Sequence, residues 1–491
     1  MKKMKNYHEH VFKICAVSKK LKTLIVACIV LFTVTSCFED LDDNAIASAD
    51  IKDYVWKGMN FVYLYKLVVP DLFDDRFTSN EEYNDYLDGF STPEDLFESL
   101  RFLPIDERFS RIFNNYFDLQ NAQQGTSLSN GIEYNLYPVP GSETEVFGAI
   151  TQVLNNSFAD NLGLQRGQIF RAINNEPLTI DSINDNDDAI YQDSFTINFA
   201  DYDNNGTPES EDDIITLNGE SADLNKVVFT ENPVHKVEVL DLPDVTVGYL
   251  MYNGFNLNFE SELNDAFAEF NTAGVTELVL DLRYNGGGSV QTAAYLGSMV
   301  TGQFTGEVFS KLFYNINLNN NDRNYLFSNT IEGSGSINSL NLSKVYVLTT
   351  NRRTASASEL VINSLKPYIE VVVIGENTVG KTQASQVFYD SPTPFTSQDV
   401  NPNHTYVMRP LVANSTNVND LLVPSTGLIP DIQITETPST FGVLGDIGEP
   451  LLSAAIGDIL LGDRPFYETD DNLRLTKPLK TKPLLQDMYI D

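Results

Sequence analysis

A chain of 491 residues exceeds what one hydrophobic core supports, so two or three domains are expected. Its content of 42% hydrophobic and 11% aromatic residues excludes wholesale disorder. A formal charge of −36 repels phosphate backbones, which argues against nucleic acid as a partner and suits a soluble body facing the outside of a cell.

Residues 1–22 carry Lys2, Lys3, Lys5, Lys13, Lys19, Lys20 and Lys22, followed by an apolar run from Leu24 to Val34. At 1.5 Å per residue that run spans roughly 16 Å, well short of the roughly 30 Å hydrocarbon core. A basic flank and a short apolar run fit a secretory leader better than a transmembrane helix. The run ends Val34-Thr35-Ser36-Cys37, which resembles a bacterial lipobox. The competing reading is an ordinary signal peptide with an incidental cysteine. Glu39, Asp40, Asp42 and Asp43 resemble the surface-export signals of some Gram-negative lipoproteins. The expectations are a leader over 1–36, lipidation at Cys37, a tether over 37–50, and an exported lipoprotein of the outer membrane, facing either the periplasm or the cell surface. With Cys15 and Cys28 in the leader, the mature chain would hold one cysteine, no internal disulfide and no cysteine cluster for zinc.

Ile51, Val55, Met59 and Val62 recur at helical spacing and predict a helix over 51–69, stopped by Pro70. Thr92-Pro93-Glu94-Asp95 reads as an N-cap, a proline at the first helical position and acids in the first turn. Leu96, Phe97 and Leu100 supply that helix's apolar face, within a helical domain over 51–127.

From 128 to 240 the pattern turns to short β-like runs such as Val146–Val153 and 168–173. The stretch Ser157 to Asn174, with Gly163 and Gly167 between a short helix and a strand, resembles a PDZ module, which binds an extended peptide along an open sheet edge. Gln168 stands where that family has Asp, and another small β domain with a Gly-rich turn competes. Inside the region, Asp201, Asp203, Asn205, Gly206 and Asp212 fall at positions 1, 3, 5, 6 and 12 of a calcium loop. The flanks look like strands and position 12 is Asp, so a solvated acidic hairpin turn competes with a structural calcium site.

Strand and helix alternate from about 245, as in an α/β domain. A buried strand over 277–282 leads into Asp281-Leu282-Arg283-Tyr284-Asn285-Gly286-Gly287-Gly288. Glycines at a strand's end let backbone N–H groups converge on one point, as an oxyanion requires, although a tight turn or a phosphate loop looks the same. The next strand, 344–350, leads into Thr354-Ala355-Ser356-Ala357-Ser358-Glu359 and a helix carrying Leu360, Val361 and Leu365. Serine there faces a helix N-terminus that stabilises negative charge, and is equally an ordinary N-cap position for Ser356 or Ser358. After a strand over 371–374 comes Gly375-Glu376-Asn377-Thr378-Val379-Gly380-Lys381. Burial would disfavour this lysine's ammonium form and let the amine take a serine proton; otherwise it is a surface lysine.

The strings DLRYNGGG, TASASE and GENTVGK, in this order, resemble the S41 family of carboxyl-terminal processing proteases. Gly427-Leu428-Ile429-Pro430-Asp431 resembles that family's closing strand, and the resemblance covers roughly 50–462. It implies a multidomain α+β and α/β chain: the helical domain, the PDZ-like module with an insertion, and a crotonase-like αβ core over 241–465, with a tail over 466–491. It further implies Ser356 as nucleophile, Lys381 as general base, and the N–H groups of Gly287, Gly288 and Ala357 as the oxyanion hole. No cofactor is implied; substrates would be unstructured or C-terminal protein segments. Two positions depart from the family: Gly286 where Pro is common, and Ser385 where Gln often orients the lysine, with Gln383 an alternative. Only His235 and His404 follow the leader, and neither lies in a motif. Two other classes compete: a non-catalytic surface lipoprotein that binds peptides, and a crotonase-like enzyme acting on acyl-CoA, disfavoured by export, the PDZ-like insert and the acidic surface.

Overall fold

In a computed structural model, residues 51–461 are described apart from 104, 107–108, 184–188 and 208–209, together with residues 489–490. The expected leader, Cys37 and tether lie outside the described residues, as does the expected tail except for Tyr489 and Ile490.

The N-terminal part carries α1 (Ile51–Val62), α2 (Asn80–Asp88) and α3 (Pro93–Ser99). The first helix is shorter than its spacing predicts. Its continuation is diverted because the Leu64 N–H donates to the Leu411 carbonyl at 2.8 Å, and only 3-10 turns follow at Lys66–Val68 and Pro70–Leu72. The start of α3 follows its sequence. Thr92 Oγ1 accepts from the Asp95 N–H at 3.0 Å while Asp95 Oδ2 accepts from the Thr92 N–H at 3.2 Å, a reciprocal cap. These helices pack on the C-terminal half of the chain: Arg111–Phe113 pairs antiparallel with Val407–Arg409, and the Tyr54 hydroxyl donates to the Phe388 carbonyl.

A twisted antiparallel sheet follows, built from β1 (Ile132–Pro138), β2 (Val146–Val153), β3 (Ile169–Ile173), β4 (Ser194–Asp203) and β5 (Ile214–Asn225) in that spatial order. Leu136, Ile150, Phe170, Ile197 and Leu224 form one face of its core. The helical turn Phe158–Asn161 is capped by Ser157, and Gly163 and Gly167 take φ of +76° and +87° before β3, which explains glycine at both positions.

The third part is a sheet in the order β6 (Val234–Leu242), β7 (Val245–Tyr252), β8 (Glu277–Asp281), β9 (Lys344–Thr349), β10 (Glu370–Gly375) and β12 (Ile432–Gln433). Every pairing from β7 onward is parallel. Helices α4 (Glu260–Ala273), α5 (Val290–Thr301), α6 (Ala357–Leu365) and α7 (Pro450–Leu461) complete this part. Val247, Tyr249 and Met251 alternate along β7 onto the same apolar core as Tyr346, Leu348, Val372, Ile374 and the α7 residues Leu451, Leu452 and Ala455. β11 (Gln383–Ser385) leaves this sheet and pairs with Leu411–Thr416 in a smaller one. Adjacent parallel strands β8, β9 and β10 therefore deliver their C-terminal loops to one edge, where open α/β sheets place their ligands. Among the described residues no helix is long and apolar enough to cross a membrane.

Candidate active site

Three strand-end loops meet here. The loop after β9 ends at Ser356, whose backbone has φ 67° and ψ −114°. A non-glycine residue there costs about 1–3 kcal/mol, a strain that recurs at functional turns. Ser356 precedes α6 and is fully buried. The loop after β10 ends at Lys381, also fully buried, with Nζ 5.0 Å from the centre of the Phe109 ring.

Glu359 joins the two loops. Its Oε2 accepts from the Ser356 N–H at 2.7 Å and from the Lys381 N–H at 2.9 Å. Its Oε1 accepts from the Gly380 N–H at 2.6 Å and from the Thr378 hydroxyl. One carboxylate thus sets the backbones of Ser356 and Lys381 side by side. Burial pushes the Glu359 carboxyl above its ordinary value, opposed by the Thr378 hydroxyl and the three backbone N–H groups. Sequence reasoning missed this role, although an acid three residues after a helix-capping serine is a recognisable signal.

The glycine loop after β8 is shaped by Asn285. Its side chain donates to the Tyr252 carbonyl at 2.8 Å, and its Oδ1 accepts from the Gly287 N–H at 2.8 Å. The Gly287 N–H is therefore engaged by a side chain of its own loop. Gly288 has φ +137°, and a Cβ there would lie 2.1 Å from the Phe255 carbonyl oxygen, so only glycine fits. The Asn285 carbonyl accepts from the Ser358 hydroxyl at 3.0 Å, which gives that serine a structural role.

The other expected residues fall as follows. Gln383 donates from Nε2 to the Tyr65 hydroxyl at 3.0 Å, tying β11 to the N-terminal part. Ser385 is fully buried at the end of β11. His404 uses both ring nitrogens elsewhere, with Nε2 3.0 Å from Asp390 Oδ2 and Nδ1 accepting from the Tyr406 N–H at 3.1 Å. Burial, aided by Lys236, lowers the His235 pKa to about 4. Within the calcium-loop spacing, the Asn205 side chain donates to the Asp212 carbonyl. Asp201 accepts from Asn218 at 3.0 Å, Asp203 from the Asn205 N–H at 2.9 Å, and Asp212 from the Thr207 hydroxyl at 2.8 Å. Among the described residues no group of three or more His, Cys, Asp or Glu stands placed to hold a metal ion.

A charged cluster links the antiparallel sheet to the glycine loop. Arg166 bonds Glu436 at 2.5 Å and the Tyr284 hydroxyl at 2.6 Å, while Arg283 bonds Glu436 at 2.8 Å, Glu449 at 2.7 Å and Asp281 at 2.8 Å. Burial opposes the charge on Glu436, but Arg166 and Arg283 outweigh it and hold the carboxyl down to about 2.

Two segments of the chain match known family models. Residues 246–393 match Peptidase family S41, and residues 50–111 match the Peptidase S41 N-terminal domain. The chloroplastic C-terminal processing peptidase of Tetradesmus obliquus is 29% identical over 177 residues, covering 34% of this chain and 33% of that protein. The carboxyl-terminal-processing protease of Picosynechococcus sp. is 28% identical over 142 residues, covering 29% of this chain and 31% of that protein. The chain thus aligns with about a third of the length of these relatives. A protein of Bacteroides fragilis assigned as an S41 protease, known as a crystal structure, is 27% identical with a TM-score of 0.66, covering 84% of this chain and 98% of that one. The chain is thus similar to S41 peptidases over these segments, and carboxyl-terminal processing proteases are among the proteins it resembles.

Proposed function

We propose that this chain is a serine endopeptidase of the S41 type in which Ser356 attacks a peptide carbonyl and Lys381 is the general base. The observation that carries the reading is Glu359, whose one oxygen accepts from the backbone N–H of both residues. Lys381 Nζ, acting as the neutral amine, takes the Ser356 hydroxyl proton as Oγ bonds to the carbonyl carbon. The N–H groups of Gly288 and Ala357, the latter opening α6, stabilise the oxyanion. As the tetrahedral species collapses, the lysine ammonium returns its proton to the departing amine. Water, deprotonated by the same lysine, then releases the acyl group from Ser356. A histidine base is disfavoured because both ring nitrogens of His404 are engaged elsewhere.

The substrates proposed are unstructured or C-terminal protein segments, guided to the site by the sheet β1–β5 acting as a PDZ-like module. The Ser157 cap, the helical turn and the two glycines before β3 support that part of the reading. The proposed setting is the outer membrane, with a lipid at Cys37. A fluorophosphonate probe located by mass spectrometry tests the nucleophile: label on Ser356, lost in Lys381→Ala, supports it, and label on Ser358 overturns it.

A further inference from the structure

The glycine loop and the strand β11, which follows the lysine loop, leave a slot between them, and the slot is filled by the chain itself. The Tyr489 N–H donates to the Gly288 carbonyl at 3.0 Å, and the Val290 N–H donates to the Tyr489 carbonyl at 3.3 Å. On the other side the Ile490 N–H donates to the Ser385 carbonyl at 3.0 Å. Tyr489 forms parallel bridges with both Ser289 and Ser385. Tyr489 and Ile490 are only 5% and 4% exposed, and Tyr489 lines one cleft with Phe255, Asn256, Gly287 and Gly288.

Each of these main-chain contacts is one that any extended polypeptide could make. Two edges at strand spacing, satisfied by one inserted segment, constitute strand addition. One edge follows directly from Gly288, a candidate oxyanion donor, and the other lies four residues beyond Lys381. A segment held there lies between the loop that carries Gly288 and the strand that follows Lys381.

We infer that Tyr489–Ile490 is an intramolecular occupant of the substrate-strand slot, so that the protein competes with its own substrates. The slot accepts an extended segment with an aromatic residue followed by an aliphatic one. This inference rests on the Ser356–Lys381 reading for its meaning, but not for its geometry. Being covalently joined, the occupant has a local concentration on the order of millimolar, enough to hold the slot with weak contacts alone. Substrate affinity is then reduced by the fraction of molecules in which the slot is open.

The test compares the whole chain with its Tyr489→Gly/Ile490→Gly double variant on a quenched fluorescent peptide, beside hydrogen exchange of the peptides covering 286–292 and 383–388. The expected results are a KM at least about fivefold lower with kcat little changed, faster exchange at Val290, and competitive inhibition of the variant by a synthetic peptide of residues 482–491. Equal KM together with equal exchange at Val290 overturns the inference. If both forms are inert on peptides yet Val290 still loses protection in the variant, the occupancy stands and the protease reading falls.

Discussion

Removing the Glu359 carboxylate should damage catalysis and stability by amounts that follow from its four hydrogen bonds. Glu359→Gln retains one oxygen. With that oxygen in the Oε2 place, the Ser356 and Lys381 amides keep their acceptor, and the new NH2 can donate to the Thr378 hydroxyl. The Gly380 N–H and the Thr378 O–H then both lose their acceptor, and an unpaired buried donor costs about 1–3 kcal/mol. Glu359→Ala orphans three backbone N–H groups at once, a loss on the order of 5 kcal/mol, comparable with the whole stability of many domains. The Ala variant also unties the serine loop from the lysine loop. A displacement of about 1 Å between reacting groups costs on the order of 100-fold in rate, so kcat should fall at least that far. KM should change little, because Glu359 positions the dyad and does not touch substrate. Urea denaturation and steady-state cleavage of a fluorogenic peptide measure both effects, and the Gln variant keeps the test readable if the Ala variant does not fold. Wild-type kcat and wild-type stability in Glu359→Ala would refute the reasoning.

Three further outcomes are expected. The Glu436 carboxyl sits at about 2 when folded, below an ordinary value of 4.5, so its contribution is full above about pH 4.5 and fades as pH falls toward 2; Glu436→Gln should flatten that acid limb of stability, and an unchanged limb counts against the cluster. Cys37→Ala should release the protein from the membrane fraction, and unchanged partitioning with no acyl mass on the N-terminal peptide would remove the anchor. If the Asp201–Asp212 turn holds a structural calcium ion, calcium should raise the melting temperature and Asp203→Ala should lose that shift; no heat of binding on titration removes the site.

The elements nearest the chemistry were the most legible in the sequence. Strands β8, β9 and β10 are short apolar runs ending in glycine or polar loops, and the Thr92 cap announces α3 by local chemistry alone. What the sequence hid depends on distant partners. The helix at 51–62 stops early because Leu64 bonds Leu411, which no local pattern reveals. The glycine spacing does not show that Asn285, two residues before Gly287, accepts its N–H. The spacing of Asp201, Asp203, Asn205 and Asp212 matches a calcium loop, yet β4 extends through Asp203 and Asp201 faces Asn218 across the hairpin. Tyr489 carries no motif at all, and its place emerges only from pairing with Ser289 and Ser385.

The most direct test of the central claim is cleavage of an unfolded protein substrate by the wild type and by Ser356→Ala, Lys381→Ala, Ser358→Ala and His404→Ala, each first shown to be folded. The account predicts near-complete loss for Ser356→Ala and Lys381→Ala, with a double variant scarcely worse than either because the two act as one unit. It predicts much smaller effects for Ser358→Ala and His404→Ala. Full activity in Ser356→Ala, or activity kept in Lys381→Ala and lost in His404→Ala, would contradict it.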